Sequence, residues 1–266
     1  MGGSVLLAEP PFVLLGYCMK LIDFFIEHPR VAVAFSGGAD SAYLLYAAGQ
    51  YAKEVQAYYI KSAFQPRFEL DDALLIAKEL GVPIKTINLD IVADQKIASN
   101  PSNRCYYCKK KIFETIKKQA EIDGFPVLLD GTNVSDDADD RPGIKALYEL
   151  SVLSPLWLCG FTKAEIRRLS QEAGLFTWNK PAYACLATRI PTGEQITEEK
   201  LRATEAAENY LFSLGLNNFR VRRIGNAAKI QVPAAQIEKI IKNRESIIAE
   251  VKQYYSDVLL DLEVRE

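Results

Sequence analysis

The chain predicts an α/β fold: a doubly wound, mainly parallel sheet followed by a small C-terminal α+β unit. Three observations carry this. Short apolar runs alternate with helical patterns from Val31 to Gly174, the signature of strands that pair in parallel through helical crossovers. The first run ends in a glycine turn that feeds a helix, a feature of the ligand edge of open parallel sheets. Beyond Lys180 the alternation stops, and a helix, a hairpin, a helix and a last strand follow.

The elements follow in order. Leu21–Glu27 is an amphipathic opening run. Val31–Phe35 is short and apolar throughout, as in a strand covered on both faces. Ser41, Leu44, Leu45 and Ala48 then share one helical face. Val55–Ile60 reads as a strand, Leu70–Leu80 as a helix ended by Gly81, and Pro83–Leu89 as the next strand. A long helix near Cys108–Ile122 stops before Gly124 and leads to the strand Val127–Asp130. Gly143–Leu150 is a shorter helix before a strand at Val152–Leu153. Thr162 and Glu165 form a capping box for a helix that ends at Gly174. In the last unit, Thr197–Leu214 is a helix with Glu198 and Glu199 in its first turn. Arg220–Ile224 and Ala228–Val232 flank a turn and read as a hairpin. A helix over Ala234–Tyr254 and a strand over Val258–Val264 close the chain. The expected division is 1–18 as an N-terminal extension or cloning remnant, 19–180 as the sheet domain and 181–266 as the α+β domain.

The composition is that of an ordinary globule, with 49 % apolar and 25 % charged residues in 266. A net charge of −2 weighs against a protein that grips long nucleic acid through its phosphates. No apolar run approaches a membrane span, and the apolar N-terminus is broken by Glu9, Pro10 and Pro11 without a basic segment, which speaks against a signal peptide. A cytoplasmic homo-oligomer is expected. The single histidine, His28, precedes a proline at a helix end and reads as structural. Acid–base and nucleophilic work therefore falls to Cys, Asp, Glu, Lys, Arg or a metal.

The chemistry concentrates in two places. Ser36-Gly37-Gly38-Ala39-Asp40-Ser41 joins a strand to a helix N-terminus, where free N–H groups and the helix dipole suit phosphate. Asp40 fits a phosphate site only if a cation such as Mg²⁺ joins it. The five cysteines are an odd number and read as thiols or ligands. Cys105 and Cys108 are spaced to share one face of a helical turn, beside Arg104 and Lys109–Lys111, which would favour thiolates. The pair suits half a zinc site, a redox dithiol or part of an iron–sulfur site. Cys185 lies between Pro181 and Pro191, near Arg189, as a candidate nucleophile or a buried small hydrophobe. Cys18 and Cys159 read as structural. If Cys105, Cys108 and Cys185 converge, three thiolates would leave one iron of a cubane cluster open, whereas zinc would need a fourth ligand from Cys159 or Cys18. Arg220 and Arg222 share a strand face and suit a phosphate, or are simply solvated. Glu205 and Glu208 read as a solvated helix face that could assist a metal.

SGGADS resembles the pyrophosphate loop of the N-type ATP pyrophosphatases. With NRCYYCK (Asn103–Lys109), DGTN (Asp130–Asn133), RPG (Arg141–Gly143), SPL (Ser154–Leu156), TKAEIR (Thr162–Arg167), KPAYACLATRIPTG (Lys180–Gly193) and RVRRIG (Arg220–Gly225) in the same order, the chain resembles the LarE-type sulfurtransferases from about Met19 to Val264. The resemblance implies an adenine nucleotide alpha hydrolase-like fold. It implies an enzyme that adenylates a carboxylate of pyridinium-3,5-biscarboxylic acid mononucleotide with ATP and Mg²⁺, then replaces AMP by sulfur, during assembly of the nickel-pincer nucleotide. It implies pyrophosphate on Ser36, Gly37, Gly38 and Ser41, Mg²⁺ near Asp40, and adenosine bordered by Ile60–Ser62 and Gly131–Thr132. Arg189 would steady the adenylate, and Arg220 and Arg222 would hold the substrate phosphate. One branch of the family sacrifices the cysteine matching Cys185, which becomes dehydroalanine. The other holds a 4Fe–4S cluster on three cysteines, fed by a sulfide donor; this chain keeps all three and resembles that branch. Gln231 departs from the family, which often carries an acid there. The rival readings are a tRNA thiolase with the same loop, and a nucleotide-binding sensor with a metal or redox C-x-x-C.

Overall fold

The computed structural model describes residues 20–136 and 141–265; the expected extension and Cys18 lie outside them. Strands β1 (Arg30–Ala34), β2 (Glu54–Lys61), β3 (Ile84–Asn88) and β4 (Val127–Leu129) form one sheet in the order β3-β2-β1-β4. All its pairings are parallel. The chain winds outward from β1 through β2 to β3, then crosses back to lay β4 on the other side of β1. The point where the winding reverses, between β1 and β4, is where such sheets open a crevice for ligands. The strand expected at Val152–Leu153 shrinks to one parallel bridge, Leu129 to Leu153.

Alternation along the strands assigns the two faces. Val31, Val33 and Tyr59 point to a core shared with α1 (Leu21–Glu27), α2 (Ala39–Tyr51) and α3 (Arg67–Glu79). Ala32, Tyr58 and Leu128 point to the opposite core, against α5 (Arg104–Ile122), which follows the short α4 (Gln95–Ala98), and near α6 (Arg141–Glu149). Then come α7 (Pro155–Leu158) and α8 (Lys163–Glu172), the latter opened by the capping box expected of Thr162 and Glu165. His28 stacks on Phe24 with ring centres 4.6 Å apart, which agrees with its structural reading.

The C-terminal unit packs α9 (Glu198–Ser213) on a three-stranded mixed sheet of β5 (Arg220–Ile224), β6 (Ala227–Gln231) and β7 (Asp257–Leu260). The hairpin β5–β6 is antiparallel as expected, and β7 joins β6 in parallel. The single helix expected over Ala234–Tyr254 divides into α10 (Ile237–Lys242) and α11 (Arg244–Val251), with Asn243 between them. Asparagine is a poor residue for a helix interior because its amide competes for nearby backbone groups. Here its Nδ2 donates to the carbonyl of Lys239 at 2.7 Å.

A further core joins the two units. Cys108 of α5 packs with Phe64, Ile91 and Ile97 against Leu186, Ala187, Ile190, Ile196 and Leu201. The segment from 186 to 201 is thus folded onto the parallel sheet, although it follows Lys180 in sequence. Main-chain bonds fasten it: Leu186 donates to Phe64, Gly193 to Asn100 and Ile196 to Ala98.

Candidate functional site

The glycine turn begins where β1 leaves the sheet. Gly37 has φ +75, a left-handed conformation that side chains rarely adopt. A Cβ there would also lie 3.1 Å from the carbonyl oxygen of Glu69 and 3.2 Å from Ala73. Gly38 caps α2 in an extended conformation without a side-chain cap, so the first amides of the helix remain available to an anion. The two serine hydroxyls lie 3.0 Å apart, and Ser41 donates to the carbonyl of Gly38 at 3.2 Å. Asp40 stands in the first helical turn with a buried Oδ1 that has no hydrogen-bond partner. Burial raises its carboxyl above the usual range, Asp136 adds to this, and Lys163 and Arg167 oppose it. An orphaned carboxylate oxygen beside unfilled helix amides fits a cation held against phosphate.

The turn opens into a cavity of about 390 Å³. Ser36, Gly38, Asp40, Ile60 and Cys185, five of the expected residues, line it. Gly37 and Ser41 belong to the turn but are buried and do not line the cavity. Ile60, Ile112, Phe113 and Ile116 supply an apolar wall, and Lys109, Lys163, Arg167 and Lys180 supply four cations against the acids Asp40 and Glu69. An apolar wall beside a cationic end suits a base and its phosphates. The other residues expected around adenosine are placed elsewhere. Ser62 bonds Gln65 at 2.6 Å and lines a separate cavity with Lys61, Asp90 and Glu205. Gly131 packs behind the turn: a Cβ on it would stand 2.9 Å from the amide nitrogen of Ser41. Thr132 donates to Asp130, which also accepts from Ser154 at 2.5 Å. Gly131 therefore packs against the start of α2, Thr132 is held by Asp130, and neither is in the cavity wall.

Cys105 is exposed, Cys108 buried and Cys185 half-buried, and all are free thiols. One guanidinium joins two of them: Arg104 lies 3.7 Å from the sulfur of Cys105 and 3.8 Å from that of Cys185. The expectation of a ready thiolate does not hold for Cys108. Burial pushes its thiol up to about 12, Cys185 and Cys105 raise it further, and Arg104 only partly opposes them. Among the described residues, no three His, Cys, Asp or Glu side chains are close enough to share one metal ion. Cys159 lies in the core with α1 and α2, away from these thiols, so it is not the fourth ligand of a zinc site. Cys105 and Cys185 share the Arg104 guanidinium, and both act electrostatically on the Cys108 thiol.

The arginines take unexpected places. Arg189 does not line the cavity; its side chain is 0 % exposed and forms an ion pair with Glu208 at 2.9 Å. Its remaining donors go to the carbonyls of Ala184 and Cys185 and to the Thr188 hydroxyl, and it stacks over Tyr183. With these donors engaged inside the protein, Arg189 holds the loop that carries Cys185. Glu208 is correspondingly not a solvated helix residue. It also accepts from the Tyr183 hydroxyl and from the amide of Val221, because a buried guanidinium requires a buried counter-charge. Glu205 caps the start of α3 by accepting from the Arg67 amide at 2.7 Å.

Arg220 is buried and donates to the carbonyls of Phe219 and Ala182. Burial and nearby Arg189 and Arg265 pull its basicity down to about 10. Arg222 donates to Thr188 and to Gln231, and Gln231 donates to Asp261 at 2.6 Å. The two arginines share a face as expected, but that face is turned to the 182–188 loop. Sequence reasoning missed Lys163, Arg167, Lys180 and Glu69 as cavity residues. The first three lie within the quoted motifs TKAEIR and KPAYAC; Glu69 had no signal beyond an acid in a first helical turn.

A model of the family described as queuosine biosynthesis protein QueC matches residues 30–119, the stretch from β1 into α5. The chain is 37 % identical over 253 residues to an uncharacterised protein of Synechocystis sp., covering 92 % of each. It is 37 % identical over 212 residues to the pyridinium-3,5-bisthiocarboxylic acid mononucleotide synthase of Lactiplantibacillus plantarum, covering 78 % of this chain and 76 % of that protein. It is 26 % identical over 263 residues to the tRNA-specific 2-thiouridylase MnmA of Pseudothermotoga lettingae, covering 82 % and 75 %. The parallel sheet, its phosphate-type turn at the switch point and this kinship lead to one conclusion: the chain belongs to the LarE-type family of ATP-dependent sulfurtransferases, within the N-type ATP pyrophosphatase superfamily.

Proposed function

We propose that the chain adenylates a carboxylate of pyridinium-3,5-biscarboxylic acid mononucleotide and converts it to a thiocarboxylate, a step of nickel-pincer nucleotide assembly. One observation carries the reading: the phosphate-type turn with its orphaned Asp40 and the thiol of Cys185 line the same cavity. In the first half-reaction a substrate carboxylate oxygen attacks the α-phosphorus of ATP, the bond to the β-phosphate breaks, and pyrophosphate leaves toward the amides of Gly38 and α2. Lys163 and Arg167 face Asp40 and would neutralise the departing charge. Mg²⁺ would be held by Asp40 and would supply further charge stabilisation to the phosphates.

In the second half-reaction a sulfur nucleophile adds to the acyl carbon and AMP leaves. Cys105, Cys108 and Cys185 would hold a 4Fe–4S cluster, which would supply sulfide-level sulfur to this half-reaction. Arg189 and Glu208 fix the loop that carries Cys185. Arg220 and Arg222, now bonded to carbonyls of that loop, would each exchange one such partner for the substrate phosphate. The chain divides into 19–180 and 181–266, with residues 186–201 packed on the first unit. All described cysteines are free, which supports a reducing, cytoplasmic setting.

The test combines ATP, Mg²⁺, the dicarboxylate mononucleotide and sulfide, and follows pyrophosphate and thiocarboxylate separately. Asp40→Ala should lose both products. Cys185→Ala should still release pyrophosphate yet make no thiocarboxylate. Thiocarboxylate formation by Cys185→Ala at the wild-type rate would overturn the assignment. Kinship to the thiouridylase supports a second reading, which 2-thiolated tRNA made by the purified protein would favour.

A further inference from the structure

Glu69 is a cavity residue to which the adenylation chemistry assigns no role. It stands in the first turn of α3, and it lines the cavity shared by Ser36, Asp40 and Cys185. Its backbone carbonyl abuts Gly37, so α3 and the phosphate-type turn are held in fixed register. Its carboxylate accepts no hydrogen bond and forms no ion pair among the described residues. The groups around it come from three elements: Asp72 on α3 itself, Lys61 and Tyr59 on β2, and Lys180, Tyr183 and Arg189 on the loop beyond α8. Lys180 is already committed to Asp72 at 2.6 Å, and Arg189 to Glu208 at 2.9 Å. The Tyr59 hydroxyl, in a residue 1 % exposed, is likewise buried without a partner. A half-buried acid with no partner and a buried hydroxyl with no partner thus stand together at a cavity that also contains a thiol.

We propose that Glu69 is a catalytic base of the sulfur-transfer half-reaction, taking the S–H proton of the sulfur nucleophile as that sulfur attacks the acyl-adenylate; the proposal rests on the function inferred above. The step balances without an oxidant or reductant. A carbon–sulfur bond forms, the acyl carbon–oxygen bond to AMP breaks, AMP leaves with the bonding pair as a phosphate monoester, and the proton passes to the Glu69 carboxylate. Adenylation releases no such proton, because a carboxylate attacks already ionised. The two halves of the reaction therefore place different demands on Glu69. Burial pushes this carboxyl up to about 7, partly opposed by Lys180 and Arg189, so the group can accept a proton and return it near neutral pH.

The test is Glu69→Gln, with Glu69→Asp beside it, in the full-length protein with ATP, Mg²⁺, the dicarboxylate mononucleotide and sodium sulfide. Pyrophosphate release and thiocarboxylate formation are followed in a single turnover from pH 5.5 to 8.5. The wild-type to variant rate ratio at each pH cancels the ionisation of sulfide itself. Glu69→Gln is expected to keep pyrophosphate release within about threefold and to slow thiocarboxylate formation about 100-fold at pH 8, the contribution of one positioned base. The ratio should climb with pH through about 7, and Glu69→Asp should recover part of the rate together with the climb. A ratio independent of pH overturns the proposal, as does an equal loss in both halves, which would make Glu69 a nucleotide ligand. A wild type that releases no pyrophosphate with this substrate overturns the underlying function, and with it the proposal; the pyrophosphate measurement distinguishes the two failures.

Discussion

Replacing Glu208 by glutamine tests the buried clamp behind Cys185. The side chains of Arg189 and Glu208 are 0 % and 1 % exposed. Four donors converge on the carboxylate: Arg189 Nε at 2.9 Å, Arg189 Nη2 at 3.2 Å, the amide of Val221 at 2.9 Å and the Tyr183 hydroxyl. Glutamine keeps the volume but offers one acceptor oxygen where two were used, and its NH₂ faces donors. It also leaves the Arg189 charge buried, with Arg220 close enough to be depressed by it. Breaking one side of such a pair costs about 3–5 kcal/mol, a large share of the roughly 5–15 kcal/mol that holds a domain together. The assay is urea unfolding at pH 7.5, read as a fall in midpoint at constant slope. Alkylation of Cys185 provides a second readout, since its carbonyl is one of the ligands of Arg189 and the loop should open more often. The double variant Arg189→Met/Glu208→Leu should lose less than the sum of the two single changes, because no uncompensated charge remains. A loss below about 1 kcal/mol in Glu208→Gln, the range of exposed pairs, would refute the view that this pair is sealed from water.

Other expectations follow from the same geometry. Gly131→Ala must move either β4 or the start of α2, because the new methyl would stand 2.9 Å from the Ser41 nitrogen; overpacking of this kind costs about 1–3 kcal/mol, and pyrophosphate release should fall about 100-fold. Normal release with an unchanged melting temperature would show that α2 is not braced there. Glu69, raised to about 7 from 4.5, holds its proton more tightly folded than unfolded. The wild type should therefore gain up to about 3 kcal/mol on Glu69→Gln as pH falls from 7 to 4.5, and a flat difference in denaturation midpoints would contradict this. Cys108→Ala should abolish iron and acid-labile sulfide binding after anaerobic purification while leaving ATP binding intact; unchanged iron content would remove Cys108 from the ligand set.

Local patterns were legible where one segment determines its own structure. The glycine turn, the capping box of Thr162 and Glu165 and the hairpin at Arg220 were all readable, since each rests on residues within a few positions. The topology followed from alternation. What could not be read were pairings across long stretches. Arg189 and Glu208 are 19 residues apart, and no short-range rule indicates that one neutralises the other. Arg104 reaches Cys185 across 81 residues. The placement of Glu69 required knowing that α3 docks against Gly37. The two arginines of β5 share a face, as the strand period dictates, but the period does not state what the face meets. Asn243, where the helix expected over Ala234–Tyr254 divides, carries an amide that competes for nearby helix backbone groups.

The segment from 186 to 196 is fastened to the parallel sheet domain largely by main-chain bonds, from Leu186 to Phe64, Gly193 to Asn100 and Ile196 to Ala98. A peptide group is the same at every residue except proline. Attachment of this kind therefore tolerates replacement of surface side chains along the segment and is sensitive to insertions and deletions, which would shift every bond at once. Among descendants of this chain, the length between Phe64 and Asn100, and between Cys185 and Ile196, should drift less than the exposed letters within them. In such a lineage the position of the thiol is inherited as a count of residues.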